Sequence, residues 1–219
     1  MADPTIYRLF GRKGWGSALT ELQLGWYGLP YRFEEVGDLF ASEEARRELA
    51  KVNPVAQLPT LVLPDGTVLT ESAAITLHLA EATGSTELVP PPKDPTRPQF
   101  LRWLVFTVAN IYPTFTYADD PARFVTGEDA QKAFRASVDD YAIRLWRMVE
   151  DAAVGPWFLG ERFSAIDIYL AVMTRWRPRR AWFAENTPRL SASALAAEAQ
   201  PKLAAVWAKN FAEDPVANS

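Results

Sequence analysis

Alternating apolar and polar positions predict four β-strands in the first third of the chain. Residues 5–10 alternate in this way and so do residues 31–36, which is the pattern of a half-buried strand. Residues 61–63 and 67–69 are short β-prone runs separated by Pro64-Asp65-Gly66. Asp-Gly between two such runs is a strong hairpin signal, so we expect the third and fourth strands to form a hairpin.

Helical spacing of apolar residues fills the gaps between these strands. A first helix is predicted from Ser17, as its cap, to the neighbourhood of Gly28, and a short polar helix is predicted over 42–49. A third helix begins at Glu71 and Ser72, directly after the hairpin. The predicted order is β-α-β-α-β-β-α, which is typical of a small mixed sheet with helices on its faces.

A proline-rich break separates this part from an all-helical remainder. Three successive prolines, residues 90–92, exclude a helix and favour a stiff, extended connector. We therefore expect a domain over residues 1–84, a linker over 85–95 and a helical domain over 96–219. Apolar residues recur at helical spacing in four segments of that last domain: 97–111, 129–152, 165–176 and 201–211.

One helix start in the second domain carries a capping box. Ser164 precedes a run of apolar residues as their N-cap, and Asp167 follows three residues later, in position to bond back to the cap. Buried polar groups of this kind are usually structural partners. We therefore interpret Ser164 and Asp167 as a folding device and not as catalytic residues.

The hairpin and the helix after it carry the features of a ligand site. Pro59 at a strand start has no ladder N–H, and a cis bond before it would turn the backbone groups of Leu58 outward, toward a peptide-like ligand or another chain. Glu71 and Ser72 fall at a helix start, where free N–H groups favour a carboxylate. This stretch predicts a strand edge for a peptide backbone, a cradle for an anion and an acidic side chain for an amine.

Composition argues against several classes of function. Lysine and arginine number 23 against 27 acidic residues, a net charge of −4 with no basic stripe, which disfavours nucleic acid as a partner. The chain has no cysteine, which excludes disulfides, thiolate metal sites and a catalytic cysteine. His78 is the one histidine, so a multi-histidine metal site is disfavoured as well. We expect no metal, no membrane segment and a cytoplasmic location.

The glycine-rich loop over residues 11–17 permits two interpretations. Its sequence matches neither a phosphate-binding loop nor a dinucleotide fingerprint, so nucleotide binding is disfavoured. A tight strand-to-helix turn explains the glycines without any ligand. Ser17 lies at the positive end of the predicted helix dipole, however, where a hydroxyl can be a cap and a catalytic group alike.

Four motifs, together with the first strand and its serine-bearing loop, resemble the cytosolic glutathione transferases of bacterial type. The resemblance covers essentially the whole chain in order and spacing. It implies a thioredoxin-like α+β N-terminal domain, an all-α helical-bundle C-terminal domain and, in most members, a homodimer. The motifs are Asn53-Pro54, Gln57-Leu58-Pro59-Thr60-Leu61, Glu71-Ser72-Ala73-Ala74-Ile75 and Gly160-Glu161-Arg162-Phe163-Ser164-Ala165-Ile166-Asp167.

The resemblance also implies a glutathione site on the first domain. Leu58, before a cis Pro59, is expected to pair through its backbone with the cysteinyl unit of glutathione. Glu71 and Ser72 are expected to hold the γ-glutamyl amine and carboxylate, and Gln57 is a weaker candidate. A pocket for the electrophile is expected between the domains, lined by Trp15, Phe106, Asn110, Tyr112 and Trp176.

The chain departs from the family pattern at the catalytic position. In this family a Ser, Tyr or Cys after the first strand donates a hydrogen bond to the glutathione sulfur and lowers its pKa. Counted from the helix, this position falls on Gly16, with Ser17 one residue later, whereas Tyr7 lies too early in the strand. We predict Ser17 as the catalytic residue. The alternative is that backbone N–H groups of the glycine loop stabilise the thiolate.

These expectations define a first function and two alternatives. The first is a detoxifying glutathione transferase that adds the thiolate of its co-substrate glutathione to a small apolar electrophile, without a metal or a redox cofactor. The second is a non-catalytic protein that keeps this fold to bind a ligand or a partner. The third is a glutathione-dependent isomerase, peroxidase or dehalogenase. Thiol exchange is disfavoured because a mixed disulfide needs a protein sulfur.

Overall fold

The computed structural model of the protein describes residues 6–212, which form two compact units. The first unit comprises residues 6–89 together with 198–212, and the second comprises residues 90–197. The sequence pattern assigns 198–212 to the helical domain, whereas contacts group this stretch with the first unit. Thr5, the predicted start of the first strand, lies outside the described residues, as does the end of the predicted second domain.

A four-stranded mixed sheet forms the centre of the first unit. Its strands are β1 (Tyr7–Gly11), β2 (Tyr31–Glu35), β3 (Thr60–Val62) and β4 (Val68–Leu69). The spatial order is β2-β1-β3-β4, with β1 parallel to β2 and both other neighbouring pairs antiparallel. The helices between and after the strands are α1 (Ser17–Tyr27), α2 (Glu43–Ala50) and α3 (Ser72–Thr83). The predicted β-α-β-α-β-β-α order is confirmed.

The alternation that predicts β1 also explains the core of this unit. Tyr7 and Leu9 are buried, whereas the two residues that alternate with them are partly exposed. Leu9 packs in one cluster with Leu24 of α1 and with Ile75 and Leu79 of α3. Because apolar side chains on one face of the sheet meet the apolar faces of two helices, their burial supplies most of the drive that folds this unit.

The second unit is helical throughout its regular elements. A π-helical turn, Thr107–Ile111, joins α4 to α5, so the helix predicted over 97–111 continues further along the chain. Pro113 has no N–H for Ala109, and the N–H of Tyr112 reaches back five residues to the carbonyl of Thr107. The helices of this unit are α4 (Arg97–Phe106), α5 (Tyr112–Asp119), α6 (Glu128–Ala152), α7 (Ala165–Met173), α8 (Arg180–Asn186) and α9 (Pro188–Glu198).

Ser164 and Asp167 form the predicted capping box at the start of α7. The Asp167 carboxylate is fully buried and accepts hydrogen bonds from the N–H of Ser164 at 2.8 Å and from its hydroxyl at 3.1 Å. It also accepts from the N–H of Phe158 at 2.8 Å and from the hydroxyl of Ser193 at 2.7 Å. Asp167 therefore ties the start of α7 to the preceding loop and to α9, as a structural partner.

The first unit is completed by a helix from far along the chain. A 3₁₀ turn, Pro201–Leu203, leads into α10 (Ala204–Phe211), which packs on α1. A Cβ added to Gly25 of α1 would lie 2.8 Å from a methyl carbon of Val206, so this contact requires glycine. The first unit is thus assembled from two stretches that are distant in sequence.

Within residues 6–212, no helix is both long enough and apolar enough to cross a membrane.

Candidate functional site

The strand register brings the predicted glutathione-binding features to one end of the sheet. Phe10 of β1 lies opposite Thr60 of β3, so the loop after β1 and the Leu58–Pro59 turn before β3 leave the sheet at the same end. Leu61 pairs with Leu69 of β4. Because β3 and β4 are antiparallel, the end of β4 and the start of α3 return to that end as well.

The Leu58–Pro59 peptide bond is cis, as expected, and the turn around it is held by a buried asparagine. The Asn53 amide donates to the carbonyl of Gln57 at 3.1 Å and to the hydroxyl of Thr60 at 3.0 Å. The Thr60 hydroxyl donates to the same Gln57 carbonyl at 2.8 Å. The Gln57 side chain is exposed, while Leu58 and Pro59 are buried. Asn53, which begins the Asn53-Pro54 motif, therefore fixes the shape of this turn.

Glu71 occupies an unusual backbone conformation at the start of α3. Its φ of 63° and ψ of 104° lie in a region that non-glycine residues seldom adopt, and its side chain is exposed. Among the described residues, no acceptor pairs with the N–H groups of Ser72 and Ala73, the first two of the helix. Strained backbone that persists at a helix start with open N–H groups is typical of a binding site.

Ser17 is buried and engaged with the loop that precedes it. Its hydroxyl donates to the carbonyl of Arg12 at 3.0 Å and accepts from the N–H of Arg12 at 3.0 Å. Gly16, and not Ser17, is the N-cap of α1, so the predicted cap is wrong. A Cβ on Gly11 would lie 2.6 Å from the Ser17 hydroxyl, which leaves glycine as the residue that fits there. The serine thus closes the loop over residues 11–17 on itself.

The start of α1 presents open backbone donors at the same end of the sheet. The N–H of Trp15 donates to the carbonyl of Arg12 at 3.1 Å. Gly16 and Ser17 follow, and within residues 6–212 their N–H groups meet no acceptor. Open N–H groups at a helix start carry the positive end of the helix dipole, which favours an anion. Tyr7, by contrast, belongs to the core cluster of the sheet, and burial raises the pKa of its phenol.

Trp15 contacts an aromatic ring and a guanidinium group. Its ring packs against Phe40 with centroids 4.9 Å apart, and the Arg12 guanidinium lies 5.5 Å from the centroid of Trp15. Trp15 also packs against the apolar cluster that contains Leu58, so the loop and the cis-proline turn share neighbours. The backbone N–H groups of Ala41 and Phe40, with Arg12, hold the pKa of the Asp38 carboxyl below its ordinary value.

The other four residues predicted for the electrophile pocket belong to the second unit. Tyr112 and Trp176 meet edge to face with centroids 5.6 Å apart, and Phe115 meets the same indole edge to face at 5.0 Å. Phe106 packs edge to face on Trp103, and the amide of Asn110 donates to the Phe106 carbonyl at 3.3 Å. The structure therefore brings Tyr112 and Trp176 into contact and places Phe106 and Asn110 one helical turn apart.

A cavity of about 320 Å³ opens in the second unit beside the π-helical turn. Asn110 lies in its wall, together with side chains of α5 and α6. Three aromatic rings and several small polar groups line it. The remaining lining residues are Ala109, Pro113, Thr114, Tyr117, Phe134, Ser137, Val138 and Tyr141.

Sequence reasoning missed Arg12 and Phe40 as neighbours of Trp15. Phe40 lies in a segment without helical or strand periodicity, between β2 and α2, so no pattern marks it. Arg12 stands in the predicted loop, but its position over the indole depends on the folding of that loop. No cluster of three or more metal-ligating side chains occurs in the part of the chain that the structure describes.

Comparison with known proteins agrees with this geometry. The model of the glutathione S-transferase N-terminal domain matches residues 20–82. The chain is 38% identical over 208 residues to the uncharacterized GST-like protein YncG of Escherichia coli (strain K12), covering 94% of this chain and 98% of the relative. The chain therefore belongs to the glutathione S-transferase family.

Solved structures agree on the fold. A glutathione transferase homolog from Sulfitobacter, solved with bound glutathione, matches with a TM-score of 0.80 at 24% identity, covering 94% of this chain and 98% of that one. A sphingomonad glutathione S-transferase complexed with glutathione matches with a TM-score of 0.73 at 26% identity, covering 93% and 98%. The predicted fold class, a thioredoxin-like domain followed by an all-α domain, is confirmed.

Proposed function

We propose that this protein is a glutathione S-transferase, which binds glutathione on the first unit and joins its sulfur to a small apolar electrophile. The observation that carries the proposal is the convergence at one end of the sheet. The cis-proline turn, the start of α3 and the start of α1 leave the sheet together there. A peptide-like anion with a thiol meets the backbone of the cis-proline turn, the open N–H groups at the start of α3 and those at the start of α1.

Each part of glutathione has a partner in this arrangement. The backbone of Leu58 is assigned to the cysteinyl unit, because the turn held by Asn53 lies at the end of the sheet where α1 and α3 begin. The γ-glutamyl carboxylate lies at the N–H groups of Ser72 and Ala73 and at the hydroxyl of Ser72, while the exposed Glu71 carboxylate accepts from the amine. Gln57 is exposed beside this site and is the weaker candidate for a contact.

The thiol is activated at the start of α1. The N–H groups of Gly16 and Ser17 donate to the sulfur, which stabilises the thiolate and lowers its pKa. The thiol proton passes to solvent, the sulfur attacks an electrophilic carbon, and a C–S bond forms. A leaving group departs with its electron pair, or an adduct takes up a proton. The bound electrophile gains further rate from proximity to the sulfur.

In this scheme Ser17 acts indirectly, by holding the shape of the loop over residues 11–17. Its hydroxyl already accepts from the N–H of Arg12 and donates to the carbonyl of Arg12. Replacing Ser17 by alanine is expected to raise the pKa of bound glutathione by about one unit, a tenfold loss of thiolate. Exchange of the Arg12 amide is expected to accelerate in the same variant, since that amide loses its acceptor. Ultraviolet thiolate titration and amide hydrogen exchange measure the two effects.

Thr83→Ala is the matched control, because it removes a hydroxyl that bonds helix backbone at the far end of α3. A raised thiol pKa with an unchanged Arg12 amide would show that the Ser17 hydroxyl acts on the sulfur directly. An unchanged thiol pKa would contradict both roles of Ser17.

The electrophile contacts remain those predicted from the sequence. On the first unit Trp15 offers an indole packed against Phe40. On the second unit the candidates are Phe106, Asn110, Tyr112 and Trp176, of which three are aromatic and suit an apolar ligand. The proposal also includes the homodimer, the cytoplasmic location and the detoxifying role that the family resemblance implies.

A non-catalytic glutathione binder is the second candidate. The observation that favours it is the engagement of the Ser17 hydroxyl, which leaves thiol activation to backbone groups. An isomerase, peroxidase or dehalogenase differs from the transferase in the electrophile alone.

Calorimetry with glutathione, followed by an assay with a chlorodinitrobenzene-type electrophile, separates these candidates. A transferase is expected to bind one glutathione per chain and to turn over. Binding without turnover across a broad panel of electrophiles would favour the binder. Failure to bind glutathione would contradict the proposal, and light scattering on the same sample gives the oligomeric mass.

A further inference from the structure

The glycine loop is held from outside by a residue of α10. The Asn210 side-chain oxygen accepts a hydrogen bond from the N–H of Gly14 at 3.2 Å, across 196 residues of sequence. Asn210 is buried, and Gly14 has a φ of +72°. A Cβ added to Gly14 would lie 3.6 Å from the Asn210 carbonyl oxygen and 3.7 Å from the Phe211 ring. The end of α10 therefore lies directly against this loop.

The orientation of the Asn210 amide is fixed by its other contacts. Its nitrogen donates to the Glu21 carboxylate at 2.8 Å and to the carbonyl of Val206 at 3.0 Å. Both hydrogens of the nitrogen are thus used, and the oxygen is left to face Gly14. A rotated amide would set its oxygen against a carboxylate oxygen and its nitrogen against an N–H donor. The acceptor for Gly14 is therefore specified by Glu21.

The buried Glu21 carboxylate is in turn held by several partners. Its side chain is fully buried on α1, and it accepts from the hydroxyl of Tyr31 at 2.8 Å and pairs with the Lys209 ammonium. That ammonium also lies 3.8 Å from the centroid of the Phe33 ring. A buried carboxylate persists when it is paired and hydrogen-bonded on several sides, as it is here. The chain of contacts runs from β2 through α1 and α10 to the glycine loop.

We propose that Asn210 is a positioning residue for the thiol site: it pins Gly14 and so sets where the N–H groups of Gly16 and Ser17 point. The inference rests on the proposed function, in which those N–H groups face the glutathione sulfur. The two bonds around Arg12 close the loop on itself. The bond to Asn210 fixes the loop relative to the helices of the unit.

Asn210→Ala tests the proposal with two readouts. Exchange of the Gly14 amide is expected to accelerate about tenfold, because one hydrogen bond is lost. The apparent pKa of the bound glutathione thiol is expected to rise by about half a unit or more, and kcat/KM with a chlorodinitrobenzene-type electrophile to fall about tenfold, because the donors to the sulfur are misplaced. If Asn210 contributed only to stability, the variant would change neither the pKa of the bound thiol nor the kcat/KM measured well below the unfolding temperature.

A charge exchange between the two partners supplies the rescue. Asn210→Asp alone sets two carboxylates in contact and is expected to behave like the alanine variant. Combining it with Glu21→Gln restores one anion and one amide in reversed positions. The carboxylate introduced on α10 still accepts from the N–H of Gly14 but can no longer donate to the carbonyl of Val206, so the double variant is expected to reverse only part of the shift in thiol pKa. Val206→Ala is the matched control, since it weakens packing of α10 on Gly25 without touching the loop.

The outcomes separate this inference from the proposed function. An unchanged rate of hydrogen exchange at the Gly14 amide in Asn210→Ala would show that Asn210 does not hold Gly14, whether or not glutathione binds. Faster exchange with an unchanged thiol pKa and unchanged kcat/KM would overturn the positioning role. Wild-type protein that fails to bind glutathione in calorimetry would contradict the proposed function, and with it the positioning of the sulfur, while the exchange data would still decide whether the loop is pinned.

Discussion

Replacing Asp167 by asparagine is expected to lower the free energy of unfolding of the second unit by about 2–4 kcal/mol, since hydrogen-bond acceptors are lost and a buried donor is left unsatisfied. The buried carboxylate accepts four hydrogen bonds from three residues, Ser164, Phe158 and Ser193. Asparagine keeps the shape but turns one oxygen into an NH₂ group that faces N–H or hydroxyl donors. The variant loses acceptors and gains an unsatisfied buried donor, which is the costliest way to break such a network.

Chemical denaturation and hydrogen exchange of the α7 amides measure this effect. Ser193→Ala is the matched control, because it removes a single donor to the same carboxylate and is expected to cost about 1 kcal/mol. A cost for Asp167→Asn no larger than that of the control would show that the capping box does not carry the stability of this unit. Glutathione affinity is expected to be retained at temperatures where the variant is folded, since Asp167 is assigned no part in binding.

Glu71→Gly is expected to weaken glutathione binding about a hundredfold without lowering the melting temperature. The loss corresponds to about 2–3 kcal/mol, the range for a hydrogen bond between charged groups, here the γ-glutamyl amine and the carboxylate. The backbone at this position has a φ of 63°, which glycine adopts more readily than glutamate does. Removing the side chain therefore relieves strain while it removes the contact.

Calorimetry with glutathione and thermal unfolding test both halves of this expectation. Glu81→Gln, an exposed change near the other end of α3, is the matched control and is expected to leave affinity and stability unchanged. An affinity within about twofold of wild type in Glu71→Gly would contradict the assignment of Glu71 to the amine. A clear fall in melting temperature would show instead that the glutamate side chain stabilises this turn.

Local patterns in the sequence carried the prediction of the sheet and of the turn at its end. The alternation at Tyr7 and Leu9 and the Asp65-Gly66 signal are properties of neighbouring residues, and the structure follows them. The same is true of the helix that begins at Ser72, whereas the cis bond before Pro59 was implied by the family resemblance. These features depend on few residues at fixed spacing, which is why the sequence alone indicates them.

Features that depend on distant or irregular contacts were not predictable in this way. The N–H of Gly14 meets Asn210, and no spacing rule connects two residues so far apart. The position of Ser17 before a helix predicts a cap. In the folded loop, however, Gly11 lies close to Ser17 and the Ser17 hydroxyl bonds to Arg12. Short helices such as α8 lack the length over which apolar periodicity becomes visible. The sequence therefore indicated the elements that carry the candidate site, whereas the contacts within its loop could not be inferred from it.

The late position of α10 in the sequence has a consequence for biosynthesis. Residues 6–89 leave the ribosome first, but the carboxylate of Glu21 acquires its partners Lys209 and Asn210 only when α10 has been translated. Until then the nascent first unit holds a carboxylate that lacks its cation and a glycine loop that lacks its anchor. Completion of the loop contacts is thus coupled to the synthesis of more than a hundred intervening residues. A chain that terminates before α10 contains the sheet but lacks the Asn210 side chain that bonds to Gly14.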